Sequence, residues 1–89
     1  MKISNIKKEK ILEQILAYLF SINPQAVFTS YIAKELARDE EFMKNLLLEL
    51  KKKKLVIEIK KNKKGIDYIR RSRWKLSQQA YDFYSKSQI

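Results

Sequence analysis

The sequence predicts a small α+β fold in which three helices are followed by a two-stranded hairpin and a short C-terminal helix. Two observations lead to this prediction. Apolar residues recur at helical spacing in the first half of the chain, and two stretches rich in Ile, Val, Tyr and Trp flank its only glycine, Gly65. With 89 residues, 45% of them apolar, the chain has the size and composition of a single domain, expected to span residues 1–89.

The first half of the chain contains two predicted helices, separated by the Asn23-Pro24 pair, which ends the first helix and turns the chain. The first helix, over residues 6–20, presents one apolar stripe made of Ile11, Leu12, Ile15, Leu16, Leu19 and Phe20. A shorter second helix is predicted over residues 29–37, with Thr29 as its expected N-cap. Its inward residues are Ile32, Ala33 and Leu36.

A third helix is predicted from Asp39, its expected N-cap, to about Lys53. Glu40 and Glu41 lie in its first turn and lysines lie in its last turn, which is the arrangement that the helix dipole favours. The residues expected to be buried recur on one face of this helix: Met43, Leu46, Leu47 and Leu50.

Residues 55–61 and about 66–76 are the predicted strands of a hairpin, because both are rich in β-branched and aromatic residues and both border a turn sequence. Gly65 supplies the positive φ that such a tight loop needs. Trp74 and Leu76 lie two residues apart and therefore point to one face, which we interpret as the core; base stacking by Trp74 is the alternative. The apolar residues of the last helix are Ala80, Tyr81, Phe83 and Tyr84.

The net charge of +10 is concentrated in one segment of the chain. Residues 51–75 contain twelve basic and two acidic residues, whereas residues 1–50 and residues 76–89 are each electrically balanced. Clustering of this kind favours a surface that binds a polyanion. The alternative is a solvated lysine-rich face that contributes only solubility.

The sequence lacks the residue types of most enzyme and metal sites. It contains no cysteine and no histidine, so it has neither a thiol nucleophile nor the commonest general base and metal ligand. It also has no paired-carboxylate or glycine-rich phosphate-binding motif, so we expect no enzymatic activity and no cofactor. The apolar runs are too short to span a membrane and no signal-peptide pattern is visible, which favours a cytoplasmic protein.

Two segments resemble the winged helix-turn-helix pattern. Residues 29–59 read TSYIAKELARDEEFMKNLLLELKKKKLVIEI and resemble a capped second helix, a tight turn, a recognition helix and the entry into the wing. Residues 73–83 read RWKLSQQAYDF and resemble the end of the wing and the start of the last helix in MarR- and PadR-like transcriptional regulators. The resemblance implies a three-helix core, a β wing over residues 60–73 with Gly65 at its tip, and double-stranded DNA as the partner.

This resemblance assigns two groups of candidate DNA contacts. In helix-turn-helix proteins the third helix reads bases in the major groove, and the start of the second helix is a common site of phosphate contact. The first group is therefore Ser30, Tyr31, Lys44, Asn45, Leu48 and Lys52. The second group lies in the wing and consists of Lys60, Lys61, Lys63, Lys64, Arg70, Arg71 and Arg73. The wing arginines have a structural alternative, which is protection of an exposed strand edge.

The third helix departs from the usual recognition pattern in two ways. Glu40 and Glu41 would approach DNA phosphates at the end of the helix that enters the groove, and Phe42 and Leu48 are apolar where polar side chains are expected. Asn45 is the residue suited to pair with adenine. Leu48 has two interpretations, contact with a thymine methyl group or membership of a protein interface.

The predicted function is double-stranded DNA binding by a small transcriptional regulator, either sequence-specific or sequence-tolerant. The alternative is a winged helix that binds a protein or RNA through the apolar residues of the third helix, with the basic wing contributing solubility or RNA contacts. The aromatic stripe of the last helix either packs on the first helix or forms a homodimer interface, and we favour the homodimer. No small-molecule effector is evident from the sequence.

Overall fold

The computed structural model describes residues 5–62, 64–66 and 71–87. The elements follow in the order α1 (Asn5–Ile22), β1 (Val27–Phe28), α2 (Thr29–Glu35), α3 (Glu40–Lys52), β2 (Val56–Ile59), β3 (Arg73–Leu76) and α4 (Gln78–Ser87). The α+β prediction is confirmed. The strands form one antiparallel sheet in the order β1-β3-β2, so β1 adds a third strand to the predicted two-stranded hairpin.

The core lies between the helices and the inner face of the sheet. All predicted stripe residues of α1 and α3 are buried except Phe20, which is half-buried. Trp74 is fully buried, and its indole Nε1 donates a 2.8 Å hydrogen bond to Thr29 Oγ1. The core interpretation of Trp74 is therefore confirmed, because a ring with no exposed surface cannot stack on a base.

Thr29 does not cap α2, so the predicted capping role is wrong. Phe28 occupies the N-cap position and makes no side-chain capping hydrogen bond. Thr29 is instead the first residue of the helix and is buried, and its hydroxyl accepts the hydrogen bond from the Trp74 indole. A residue that resembles a cap in the sequence thus satisfies a buried donor in the core.

The turn after α2 is a Schellman motif, and it ends the helix earlier than predicted. The helix stops at Glu35, Ala37 adopts a left-handed conformation with φ 54°, and the N–H of Arg38 donates to the C=O of Ala33 at 2.9 Å. Lys54 has φ 63° in the equivalent position after α3. Both residues occupy a conformation that glycine adopts without strain.

The ends of α3 and the start of α4 agree with the sequence patterns. Asp39 Oδ2 accepts a 3.0 Å hydrogen bond from the N–H of Phe42, and Lys53 is the C-cap of α3. At α4, Ser77 Oγ accepts a 3.1 Å hydrogen bond from the N–H of Ala80. Within the described ranges, no helix is long and apolar enough to cross a membrane.

The aromatic stripe of α4 packs on α1. Tyr81 and Tyr84 lie against Phe20, with ring centroids 5.4 Å and 5.9 Å away. Burial raises the pKa of the Tyr84 phenol, and the negative charge of Glu13 raises it further. Of the predicted homodimer stripe, Phe83 is the residue that stays largely exposed, at 69%.

Asn62 and Gly65 form the turn at the tip of the wing. Gly65 has φ 81°, as the sequence predicted, and its N–H donates to the C=O of Asn62 at 3.0 Å. The side-chain Oδ1 of Asn62 accepts from the N–H groups of Lys64 and Ile66 at 2.8 Å and 3.0 Å. This Asx-type turn holds the described part of the wing in a tight loop.

Candidate nucleic-acid interface

A cleft of about 320 Å³ lies where the starts of α2 and α3 meet the base of the wing. Three candidate DNA contacts from separate parts of the chain line it: Ser30, Lys44 and Arg71. The remaining lining residues are Phe28, Thr29, Glu40, Glu41 and Ser72. The fold therefore brings α2, α3 and the base of the wing to one concave surface.

The charge inside this cleft is mixed. Glu40 and Glu41 line it together with Lys44 and Arg71, and all four side chains are exposed. A phosphate entering the cleft would meet two carboxylates as well as two cations. The cleft therefore supplies little net attraction for a polyanion.

The outer face of α3 matches the sequence prediction. Asn45, Leu48 and Lys52 are all exposed, with Leu48 at 36%. Phe42 is half-buried and packs against the core. The apolar surface available for the alternative protein interface is therefore smaller than the sequence indicated.

A cluster of exposed cations lies at the end of α3 and in the wing. They are Lys52, Lys53, Lys54, Lys60, Lys61, Lys64 and Arg71. Lys51 differs because its Nζ is 2.8 Å from Glu58 Oε1, which neutralises its charge locally. The predicted contacts Lys63 and Arg70 lie outside the described residues.

The arginines at the base of the wing make contacts within the protein. The guanidinium of Arg71 lies 5.3 Å from the centroid of the Phe28 ring, a cation–π contact. Arg73 is half-buried, and its Nη2 donates to the C=O of Lys61 at 3.0 Å. Tyr31, at 59% exposure, stacks on Phe28 and lines a second depression with Arg73 beside α1. Tyr31 and Arg73 thus line this second depression and not the cleft that contains Ser30, Lys44 and Arg71.

Glu58 joins α3 to the wing, and sequence reasoning missed it. Its side chain is only 5% exposed; Oε1 accepts a 2.8 Å hydrogen bond from Lys51 Nζ, and Oε2 accepts a 2.6 Å hydrogen bond from Ser72 Oγ. Burial alone raises the pKa of Glu58, but these hydrogen bonds and the positive charges of Lys51 and Lys60 outweigh it, so the pKa is lowered. The missed signal is alternation along β2, which places Glu58 on the same face as buried Val56.

The element order, the three-stranded sheet and the cleft define a winged helix-turn-helix domain. Comparison of the sequence with family models and with curated proteins gives no match. Among solved structures, the chain is similar to MepR, a transcription regulator of the Staphylococcus aureus multidrug efflux pump MepA. The TM-score is 0.68 at 25% sequence identity, over 85% of this chain and 52% of MepR.

Two further similar structures support the same fold. MepR in its DNA-binding conformation has a TM-score of 0.69 at 24% identity, over 96% of this chain and 56% of MepR. Lactococcus lactis ZitR has a TM-score of 0.65 at 18% identity, over 90% of this chain and 58% of ZitR. The chain thus spans about half the length of these proteins. It has the winged-helix fold of MarR-type transcription regulators, and the regulators named here are not enzymes.

Proposed function

We propose that this protein binds double-stranded DNA and regulates transcription. The proposal rests on one observation above all: the whole net charge of +10 lies in residues 51–75, which form the end of the recognition helix and the wing of a winged-helix domain. One of the similar structures is S. aureus MepR in complex with DNA, which supports duplex DNA as the class of partner.

The exposed lysines would supply most of the affinity. A duplex presents closely spaced phosphates, and each cation placed near one releases a condensed counterion, so binding strengthens as salt is lowered. Lys52 to Lys54, Lys60, Lys61 and Lys64 are exposed and available for such contacts. Lys63 and Arg70 are proposed members of the same surface. Because Glu40 and Glu41 balance the cations of the cleft, the wing and the end of α3 are the main source of attraction.

Discrimination between sequences would come from the exposed face of α3. Asn45 has the side-chain amide that pairs with adenine through two hydrogen bonds. Lys44 and Lys52 flank it and reach phosphate or guanine, and Leu48 contacts a thymine methyl group. Ser30, which lines the cleft, contacts the phosphate backbone and sets the position of the helix in the groove.

A homodimer on an inverted repeat is a further part of the proposal, since one domain of this size covers a short site. Its structural support is limited to the exposed ring of Phe83, because Tyr81 and Tyr84 pack on α1. Sedimentation equilibrium at tens of micromolar protein measures the mass directly. A monomer mass with and without DNA would remove the dimer and leave the DNA-binding proposal unchanged.

A binding titration across nucleic-acid classes tests the proposed function. Labelled duplex DNA, single-stranded DNA and double-stranded RNA of matched length are titrated at several salt concentrations, with a preferred duplex selected from a random pool. We expect tightest binding to duplex DNA. Asn45→Ala should reduce the difference in binding free energy between the preferred and a random duplex by about 1–3 kcal/mol. It should leave the slope of log K against log salt unchanged. Gln14→Ala, which removes an exposed amide from α1, is the matched control. Preferential RNA binding, or no nucleic-acid binding, would favour the alternative function.

A further inference from the structure

A buried carboxylate lies between the two elements proposed to contact DNA. In residues 51–75 twelve side chains are basic and two are acidic, and one of the two acids is Glu58. Both of its oxygens are engaged, one by Lys51 at the end of α3 and the other by Ser72 at the base of the wing. This carboxylate therefore bridges the recognition helix and the wing.

Three consecutive residues attach the base of the wing to three different parts of the fold. Arg71 stacks over Phe28 of β1, Ser72 donates to Glu58 of β2, and Arg73 donates to the backbone of the opposite side of the wing. Of these contacts, the one through Glu58 continues to α3, because the same carboxylate accepts from Lys51. Glu58 thus links the base of the wing to α3 through side chains, in addition to the packing of α3 on β2.

We propose that Glu58 is a positioning residue that holds the wing and the recognition helix in the relative orientation that binds DNA. This inference rests on the proposed function, since it concerns two elements of the same DNA-binding surface. Hydrogen bonds to an ionised group are stronger than those between neutral groups, and the side chain of Glu58 itself is only 5% exposed. The lowered pKa of Glu58 keeps the bridge ionised at neutral pH.

Charge and positioning predict opposite effects of removing Glu58. Glu58→Ala makes the protein more basic and releases Lys51, so electrostatics alone predicts tighter DNA binding. If Glu58 positions the wing, its loss leaves the base of the wing in several orientations, and the apparent affinity falls with the fraction that is competent to bind. The sign of the change therefore separates the two roles.

The test compares duplex DNA binding of Glu58→Ala, Glu58→Gln and Ser72→Ala with wild type. The control is Glu49→Ala, which removes a carboxylate from α3 with the same change in net charge but whose ion pair, at 2.9 Å, is with Lys8 of α1. We expect Glu58→Ala and Ser72→Ala to bind about 3- to 10-fold more weakly, as for a competent fraction of about a third to a tenth. Their salt slopes should flatten by about 0.9 for each phosphate that the displaced wing no longer neutralises.

The conservative variant and the control complete the design. Glu58→Gln retains the shape and one accepting oxygen, so it should bind within about twofold of wild type, and Glu49→Ala should bind as tightly as wild type or more tightly. Circular dichroism establishes that each variant is folded. If Glu58→Ala does not fold, the DNA affinity of Ser72→Ala tests the positioning role instead. If the folded Glu58→Ala and Ser72→Ala variants bind DNA as tightly as wild type or more tightly, the positioning role of Glu58 is overturned. The proposed DNA-binding function is not affected by that result. Absence of duplex binding by wild type overturns the proposed function and this role with it.

Discussion

Ala37 follows α2 in a left-handed conformation, where glycine is the usual residue. The Cβ atom of alanine destabilises this left-handed conformation by about 1–2 kcal/mol. Glycine removes that strain, but part of the gain is lost because glycine gives the unfolded chain more conformational entropy. We expect Ala37→Gly to raise the free energy of unfolding by about 0.5–1 kcal/mol in urea denaturation. Ala17→Gly, the same change at an exposed position inside α1, should lower it by about 0.5–1 kcal/mol. Destabilisation by both changes would contradict the left-handed turn.

Glu58 predicts a pH dependence of stability. Its pKa is lowered in the folded state, so its stabilising contribution is fully present above the unfolded-state pKa and is lost as the pH falls through the folded-state pKa. The difference in unfolding free energy between wild type and Glu58→Gln should therefore shrink from about pH 7 to about pH 3. Glu9→Gln, which removes an exposed carboxylate of α1, controls for the general effect of charge. A difference that grows towards low pH would contradict the assigned direction of the pKa.

Helix α3 has one buried and one exposed face, and the adjacent residues Leu47 and Leu48 lie on different faces. Leu47 is fully buried in the centre of the core stripe, whereas Leu48 lies on the outer face. We expect Leu47→Ala to cost about 2–5 kcal/mol of unfolding free energy, because it leaves a cavity. Leu48→Ala should change stability by no more than about 0.5 kcal/mol. Similar losses at the two positions in denaturant melts would mean that the helix is rotated, and the proposed DNA-facing residues would change with it.

The helices were predictable from the sequence because their signals are local. The stripes of α1 and α3 repeat within a few residues, and the cap at Asp39 lies beside the helix that it begins. The hydrogen-bond partners of Thr29 and Glu58 were not predictable, because they belong to other elements of the fold, although alternation along β2 indicates that Glu58 lies on the same face as Val56. Trp74 lies 45 positions from Thr29, and only the folded sheet brings the two side chains together.

For the candidate site too, local features were predictable from the sequence and features that depend on distant parts of the chain were not. The basic wing and the exposed face of α3 followed from charge counting and helical period. The separation of Tyr31 and Arg73 from the cleft did not, because it depends on how β1 and α2 pack beside α1. The contacts that Arg71 and Arg73 make within the protein could not be predicted either, because a sequence does not distinguish an arginine that contacts DNA from one that stabilises the wing.

In the whole molecule, the proposed attraction for DNA comes from residues 51–75, and the rest of the chain is electrically balanced. Residues 1–50 carry equal numbers of basic and acidic residues, and the cleft at the start of α3 is itself mixed. The wing lysines, rather than the net charge of the chain, should therefore set the salt dependence of binding.

The role of the wing lysines is tested by the salt dependence of duplex binding for two double variants with the same net charge. Lys61→Ala/Lys64→Ala removes two exposed lysines from the wing, and Lys10→Ala/Lys86→Ala removes two exposed lysines from α1 and α4. We predict that the wing variant binds every duplex more weakly and flattens the slope of log K against log salt by about 0.9 for each phosphate that it no longer neutralises. The control variant should keep the wild-type slope. Equal slopes for the two variants would contradict the account, because the wing would then not be the surface that contacts DNA.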